Sequence, residues 1–140
     1  MNVKVHEIMT GSVITAQPHA TIAHVRVLMK RNKINSIPVV DTDGHPIGIV
    51  SSTDLVTEQK PNTPISRIMT ENVLTVPKYD DVSTAARVMR NHKIHHVVVT
   101  HEQQIVGVLS SFDLLRLVEN HRFVAKKPPT APARKRPKRS

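Results

Sequence analysis

The sequence predicts an α/β (α+β) fold made of two copies of one unit, related by a pseudo-twofold axis, each copy a small sheet packed with two helices. An internal repeat runs through most of the chain. Each copy alternates short apolar strand patterns with helical ones. The strands are apolar on both faces, in a chain with 2% aromatic residues, so each copy needs a cover that its twin can supply.

The repeat is read directly. Ile8-Met9-Thr10 returns as Ile68-Met69-Thr70. At the same offset Val13, Met29, Lys33, Ile34 and Val39 meet Val73, Met89, Lys93, Ile94 and Val99. A single deletion shortens the offset by one, and Gly48, Ser51, Ser52, Asp54 and Leu55 then meet Gly107, Ser110, Ser111, Asp113 and Leu114. Matches on both sides of one gap define repeat one as residues 1–60 and repeat two as 61–124, with a basic tail over 125–140.

Each copy opens on the Ile-Met-Thr segment. A brief strand is expected over 13–16 and 73–76. A helix follows over about 20–31 and 80–91. Val82, Ala85, Ala86 and Met89 stand at the spacing of one helical face, and Ile22, Val25, Leu28 and Met29 do the same work in the first copy. Two hairpins come next, 36–40 with 47–51 and 96–100 with 105–110. The run Asp41-Thr42-Asp43-Gly44 is a strong turn signal, and His101-Glu102-Gln103-Gln104 a weaker one. A second helix is expected from Ser51 and from Ser110, the later one reaching about His121. Pro61 and Pro64 separate the copies.

Composition narrows the class. No apolar run approaches the roughly 18 residues of a membrane span, and the opening MNVKVHEIMT lacks a secretory leader's apolar stretch. The chain has no cysteine, hence no disulfide framework and no thiolate metal site. A cytoplasmic location is expected. The net charge of +9 is concentrated: residues 126–140 hold seven Lys or Arg and no acid, leaving thirteen bases against eleven acids elsewhere.

The sharpest constellation is Gly48-Ile-Val-Ser51-Ser-Thr-Asp54, repeated as Gly107-Val-Leu-Ser110-Ser-Phe-Asp113. A strand ends and a helix begins at the serine. Free backbone N–H groups at such a helix start attract an anion, and the serine hydroxyl can bond a phosphate oxygen. The aspartate is acceptor-only and suits the vicinal hydroxyls of a ribose. The same Ser-x-x-Asp spacing also fits a capping box, in which both side chains satisfy the helix's own first N–H groups. The two roles are compatible.

The ordered set of Ile-Met-Thr, Val-x-Thr, a helix, Lys-Ile-x-x-apolar-x-Val and Gly-apolar-apolar-Ser-x-x-Asp-Leu, present twice, resembles the cystathionine-β-synthase (CBS) domain. Two in tandem form a Bateman module. The resemblance covers about residues 3–120. It implies a non-catalytic regulatory module, commonly a homodimer, with a pair of clefts between the copies. Each cleft takes an adenine nucleotide or adenosyl compound: AMP, ADP, ATP or S-adenosylmethionine. No other cofactor is required. Carried across, Ser51 with Asp54 and Ser110 with Asp113 meet phosphate and ribose. The base lies against Ile14, Thr15, Ser36, Ile37 and Pro38, and against Leu74, Thr75, His96, Val97 and Val98.

The copies differ where it matters. Val98 stands opposite Pro38, His95-His96 opposite Asn35-Ser36, and Phe112 opposite Thr53, so unequal affinities are expected. Phe112 is read as core or dimer packing. His92, His95 and His96 lack an acidic neighbour to complete a metal shell; His92 is expected in solvent, with His95 or His96 bordering a cleft. Ser51, Asp54 and His45 make no triad, because nothing orients a base toward the hydroxyl. There is no glycine-rich phosphate loop. The tail, with four prolines and the run Arg134-Lys135-Arg136-Pro137-Lys138-Arg139, reads as disordered. It supplies the alternative function: contact with nucleic acid or an acidic partner, with the repeats as a dimeric scaffold.

Overall fold

In the computed structural model, residues 2–11 and 13–120 are described; the expected tail lies outside them, as does His121, the expected end of the last helix. Repeat one contains helix α1 (Ile22–Asn32) and the hairpin β1 (Ser36–Val40) and β2 (Pro46–Ser51). Repeat two contains β3 (Thr75–Pro77), α2 (Val82–His92), β4 (His96–His101), β5 (Gln104–Ser110) and α3 (Ser111–Asn120).

The helices begin where polar side chains accept their first free N–H groups. Thr21 accepts from His24 at 3.1 Å, and Asp81 from Ser83 at 2.9 Å. The linker helps as well, since the carbonyls of Pro61 and Thr63 take the N–H groups of Ala23 and Ile22. Ile22, Val25 and Met29 of α1, and Val82, Ala85 and Met89 of α2, are buried. Both helices end at a lysine in the left-handed region, Lys33 (φ 55°) and Lys93 (φ 56°). That turn returns the N–H groups of Ile34 and Ile94 to the carbonyls of Met29 and Met89.

The two sheets are unequal. In repeat two, β3 runs parallel to β4, and β4 pairs antiparallel with β5. Glu102 and Gln103, both at positive φ, make the tight turn between them. In repeat one, β1 and β2 form a two-stranded sheet, and the strand expected over 13–16 shrinks to a single parallel bridge between Ala16 and Val39. The reason is Pro38. Val98 donates its N–H to the carbonyl of Leu74 at 3.0 Å, and Pro38, its counterpart, has no N–H to give Ile14.

A second difference corrects the expectation of two helices per copy. No helix follows Ser51; residues 52–55 form turns closed by short-range bonds such as Leu55 N–H to Ser52 C=O at 3.2 Å. Thr53, Val56 and Thr57 are β-branched, and Pro61 stands close behind. In repeat two the corresponding stretch carries Leu114, Leu115 and Leu117, and it continues as α3.

The Ile-Met-Thr segments cross over. Val5 is fully buried in the core of repeat two, with Val76, Val97, Val99 and Leu109. Ile65 is fully buried in the core of repeat one, with Ile22, Val39 and Val50. Thr10 bridges to Val108, and Thr70 to Ile49. Ile49 and Val108, equivalent in the repeats, meet in a small third cluster with Val98. Contact between equivalent residues places the pseudo-twofold axis beside them.

The crossing explains the motif glycines. A Cβ on Gly107 would come within 2.9 Å of the Thr10 carbonyl oxygen and closer still to the Met9 sulfur; on Gly48 it would come within 3.1 Å of the Thr70 carbonyl oxygen. The Met side chains can swing aside, but the backbone cannot. Gly107→Ala is therefore expected to lower stability by about 1–3 kcal/mol, and Gly48→Ala by less. Urea unfolding of the two variants checks the order; equal and negligible losses would contradict the close crossing.

Candidate functional site

Two clefts open where the repeats meet, and each draws on both. The first, about 350 Å³, has Ile14, Lys33, Ser36 and Pro38 of repeat one facing Ser110 and Asp113 of repeat two. The second, about 520 Å³, has Ser51 and Asp54 of repeat one facing Lys93, His95, His96 and Val98 of repeat two. Both volumes fall in the usual range of small-molecule sites, about 300–1,000 Å³. The Ser/Asp pair of each repeat therefore serves the strand of the other.

Other expected residues lie elsewhere. Ile37 and Val97 are fully buried in the two cores, and Leu74 packs against the second core. Thr15 and Thr75 are exposed, and neither lines a cleft. Strand alternation accounts for Ile37 and Val97, whose neighbours Pro38 and Val98 face the clefts. Phe112 is not core. It is 68% exposed and lines both clefts, as do Asn35 and Ser110.

Hydrogen bonding within the two Ser/Asp pairs supports the local, backbone-satisfying role first. Asp113 Oδ2 accepts the Ser110 N–H at 2.8 Å, and Ser110 Oγ accepts the Asp113 N–H at 3.1 Å, a reciprocal capping box. Arg116 bonds to the other oxygen, Oδ1. In repeat one, Asp54 Oδ2 accepts the Ser51 N–H at 2.8 Å and its hydroxyl at 3.0 Å. The expected anion cradle of free N–H groups is largely closed. Ser52 and Ser111 donate to the carbonyls of Asn35 and His95, each at 2.8 Å. What the clefts offer an anion is side chains instead: the Lys33 cation in one, and the Lys93 cation with two imidazoles able to donate hydrogen bonds in the other.

Sequence reasoning missed Lys33 and Lys93. Their signal was a repeated Lys-Ile just past each helix, where glycine is the usual residue. A lysine held at positive φ costs backbone energy that glycine would not, about 1–2 kcal/mol. The same left-handed lysine recurs at both clefts.

His92 is exposed, its Nδ1 3.0 Å from the Val88 carbonyl, while His95 and His96 both line the second cleft. Asp41, Asp43 and His45 do gather potential ligand atoms within 4.8 Å at the first hairpin. There Asp41 Oδ1 accepts the N–H groups of Asp43 and His45, each at 2.9 Å, which accounts for the turn. No helix among the described residues is long and apolar enough to cross a membrane.

The comparisons agree with this geometry. The family model described as "CBS domain" matches residues 5–60 and again residues 65–120. The CBS domain pair of protein MJ0100, in complex with 5′-methylthioadenosine and S-adenosyl-L-methionine, superimposes with a TM-score of 0.77 at 29% identity, covering 85% of this chain and 98% of that one. CBS domain protein PAE2072 from Pyrobaculum aerophilum, complexed with AMP, gives 0.72 at 27% identity, covering 84% and 99%. The homoserine O-acetyltransferase of Methanosalsum zhilinae is 30% identical over 123 residues, which are 86% of this chain and 25% of that protein. The chain spans about a quarter to a third of the length of such curated relatives.

His96 sits below the ordinary histidine value, first because burial penalises its charged form and next because His95 is adjacent; Asp113 and Asp54 pull it back up. The unfolded chain then takes the proton first. Stability from this group is full above the ordinary value, about 6.5, and is lost as pH falls through the window below it. Urea midpoints of the protein and of His96→Asn, taken between about pH 8 and pH 5.5, are expected to show a shallower acid decline in the variant. Identical slopes would remove His96 from the account.

Proposed function

The chain belongs to the CBS domain family, and on that premise we propose that it is a regulatory module sensing an adenosine-containing ligand, an adenine nucleotide or adenosyl compound, in its two clefts. The observation that carries the reading is their composite construction. Each places one repeat's Ser/Asp pair opposite the other repeat's strand end. A ligand filling a cleft touches both repeats, so its binding favours whichever relative packing fits it better. The solved CBS pairs with 5′-methylthioadenosine, S-adenosyl-L-methionine and AMP support this ligand class.

In this reading the base lies on Ile14 and Pro38 in the first cleft and on Val98 in the second. The Ile14 carbonyl, which Pro38 leaves without a strand donor, can accept an N–H from the base. Asp113 and Asp54 take ribose hydroxyls, and Lys33, or Lys93 with His95 and His96, takes phosphate. The module does no chemistry of its own. The homodimer and the cytoplasmic location implied by the resemblance belong to this reading too. Nucleic-acid contact through the basic tail rests on residues outside those described and draws no support from the clefts.

A thermal-shift panel of AMP, ADP, ATP, S-adenosylmethionine and NAD tests the proposal. A bound ligand at 100 times its dissociation constant adds about 2.7 kcal/mol, a rise on the order of 10 °C for a chain this size. Asp54→Ala is expected to lower the unliganded midpoint modestly, because two bonds from Ser51 are lost, and also to reduce the shift. A lowered midpoint with an intact shift would leave Asp54 as a residue that closes the turn after β2 and nothing more, and no shift with any of the five would end the proposal.

A further inference from the structure

Asp54 and Asp113 hold the same place in their repeats, yet their carboxylates are engaged differently. Each uses Oδ2 to accept a serine N–H at 2.8 Å. No donor to Oδ1 of Asp54 is found among the described residues. Oδ1 of Asp113 is taken by Arg116, one turn further along α3. The counterpart of Arg116 in repeat one is Thr57, short and uncharged, on a stretch that forms no helix.

Position strengthens the contrast. Asp113 borders both the first cleft and a side hollow of about 360 Å³ that also touches Glu7, Met9 and Leu117. Arg116 lines the side hollow and not the cleft. Its guanidinium bonds Asp113 from the side hollow, on the oxygen that the Ser110 N–H leaves open. Asp113 itself is buried, at 8% exposure. A guanidinium bond to a carboxylate is charge-assisted and stronger than a bond from a neutral hydroxyl, and arginine stays charged at every physiological pH.

We propose that Arg116 is a positioning residue that sets the affinity of the first cleft. It holds Asp113 as a cap, so a ribose must share or displace an ionic partner there and meets a free oxygen at Asp54. The Asp54 cleft fills first, and the Asp113 cleft fills only at higher ligand concentration. The inference rests on the adenosyl-binding reading above and names the residue that makes the two sites unequal.

Calorimetric titration of the full chain with AMP tests it. The unmodified protein is expected to show two classes of site, and Asp113→Ala to lose only the weaker one. In the Asp54→Ala background the remaining cleft is read alone. There Arg116→Gln is expected to tighten AMP about tenfold, and Arg116→Lys, which keeps a cation, to fall back toward the parent. Unchanged or weaker binding in Arg116→Gln overturns the proposal. So does loss of the tighter class in Asp113→Ala, which stays readable even if the arginine variants fail to fold. An unmodified protein that binds AMP at two identical sites refutes the role of Arg116 alone; one that binds none of the five compounds removes the reading beneath it as well.

Discussion

The crossing of the Ile-Met-Thr segments is the constraint from which the remaining architecture follows. A unit of about 60 residues with an aliphatic core is marginal by itself. Here neither unit even owns its core, because Val5 completes the second and Ile65 the first. The bridges Thr10–Val108 and Thr70–Ile49 then draw β5 and β2 toward the axis. Glycine at positions 48 and 107 is the local consequence, since the crossing backbone leaves no room for a side chain. The motif glycine and the Ile-Met-Thr run, distant in sequence, are two halves of one contact.

The clefts are by-products of that packing. Bringing β2 and β5 together at Ile49 and Val108 leaves the ends of the two hairpins facing each other across a gap on either side. Helix ends complete the walls. The left-handed lysines stand where α1 and α2 stop, and the Ser/Asp caps stand where β2 and β5 end. A molecule seated there touches groups whose relative placement depends on how the repeats pack. Such a site can couple occupancy to shape without a hinge or a lid, provided the ligand favours one packing over another.

Much of this was legible in the sequence, and the failures have local causes. The duplication, the helices and the hairpins follow from periodicity and turn residues. The pairing of Asp54 with Val98 instead of Pro38 was not legible, because a repeat reads identically whether its segments pack in cis or cross over. The missing strand near Ala16 could have been foreseen, since Pro38 lacks the N–H that Val98 uses. The missing helix after Ser51 was masked by its Ser-x-x-Asp signal, which survives as a local turn even though β-branched residues stop its growth. Threonine at 15 and 75 matched the family pattern, yet both are exposed and line neither cleft.

Two near-identical half-sites need not behave identically, and the departures from symmetry here all bear on the ligand. Pro38 against Val98 changes which backbone carbonyl is available. Asn35-Ser36 against His95-His96 changes the hydrogen-bonding groups that an anionic group meets. Thr57 against Arg116 changes what the aspartate has already bound. None of these substitutions is needed to hold the fold, for the repeat that lacks each feature folds around the same crossing. Duplication supplied two clefts with one architecture, and the small differences between the copies are where separate ligand responses have room to arise.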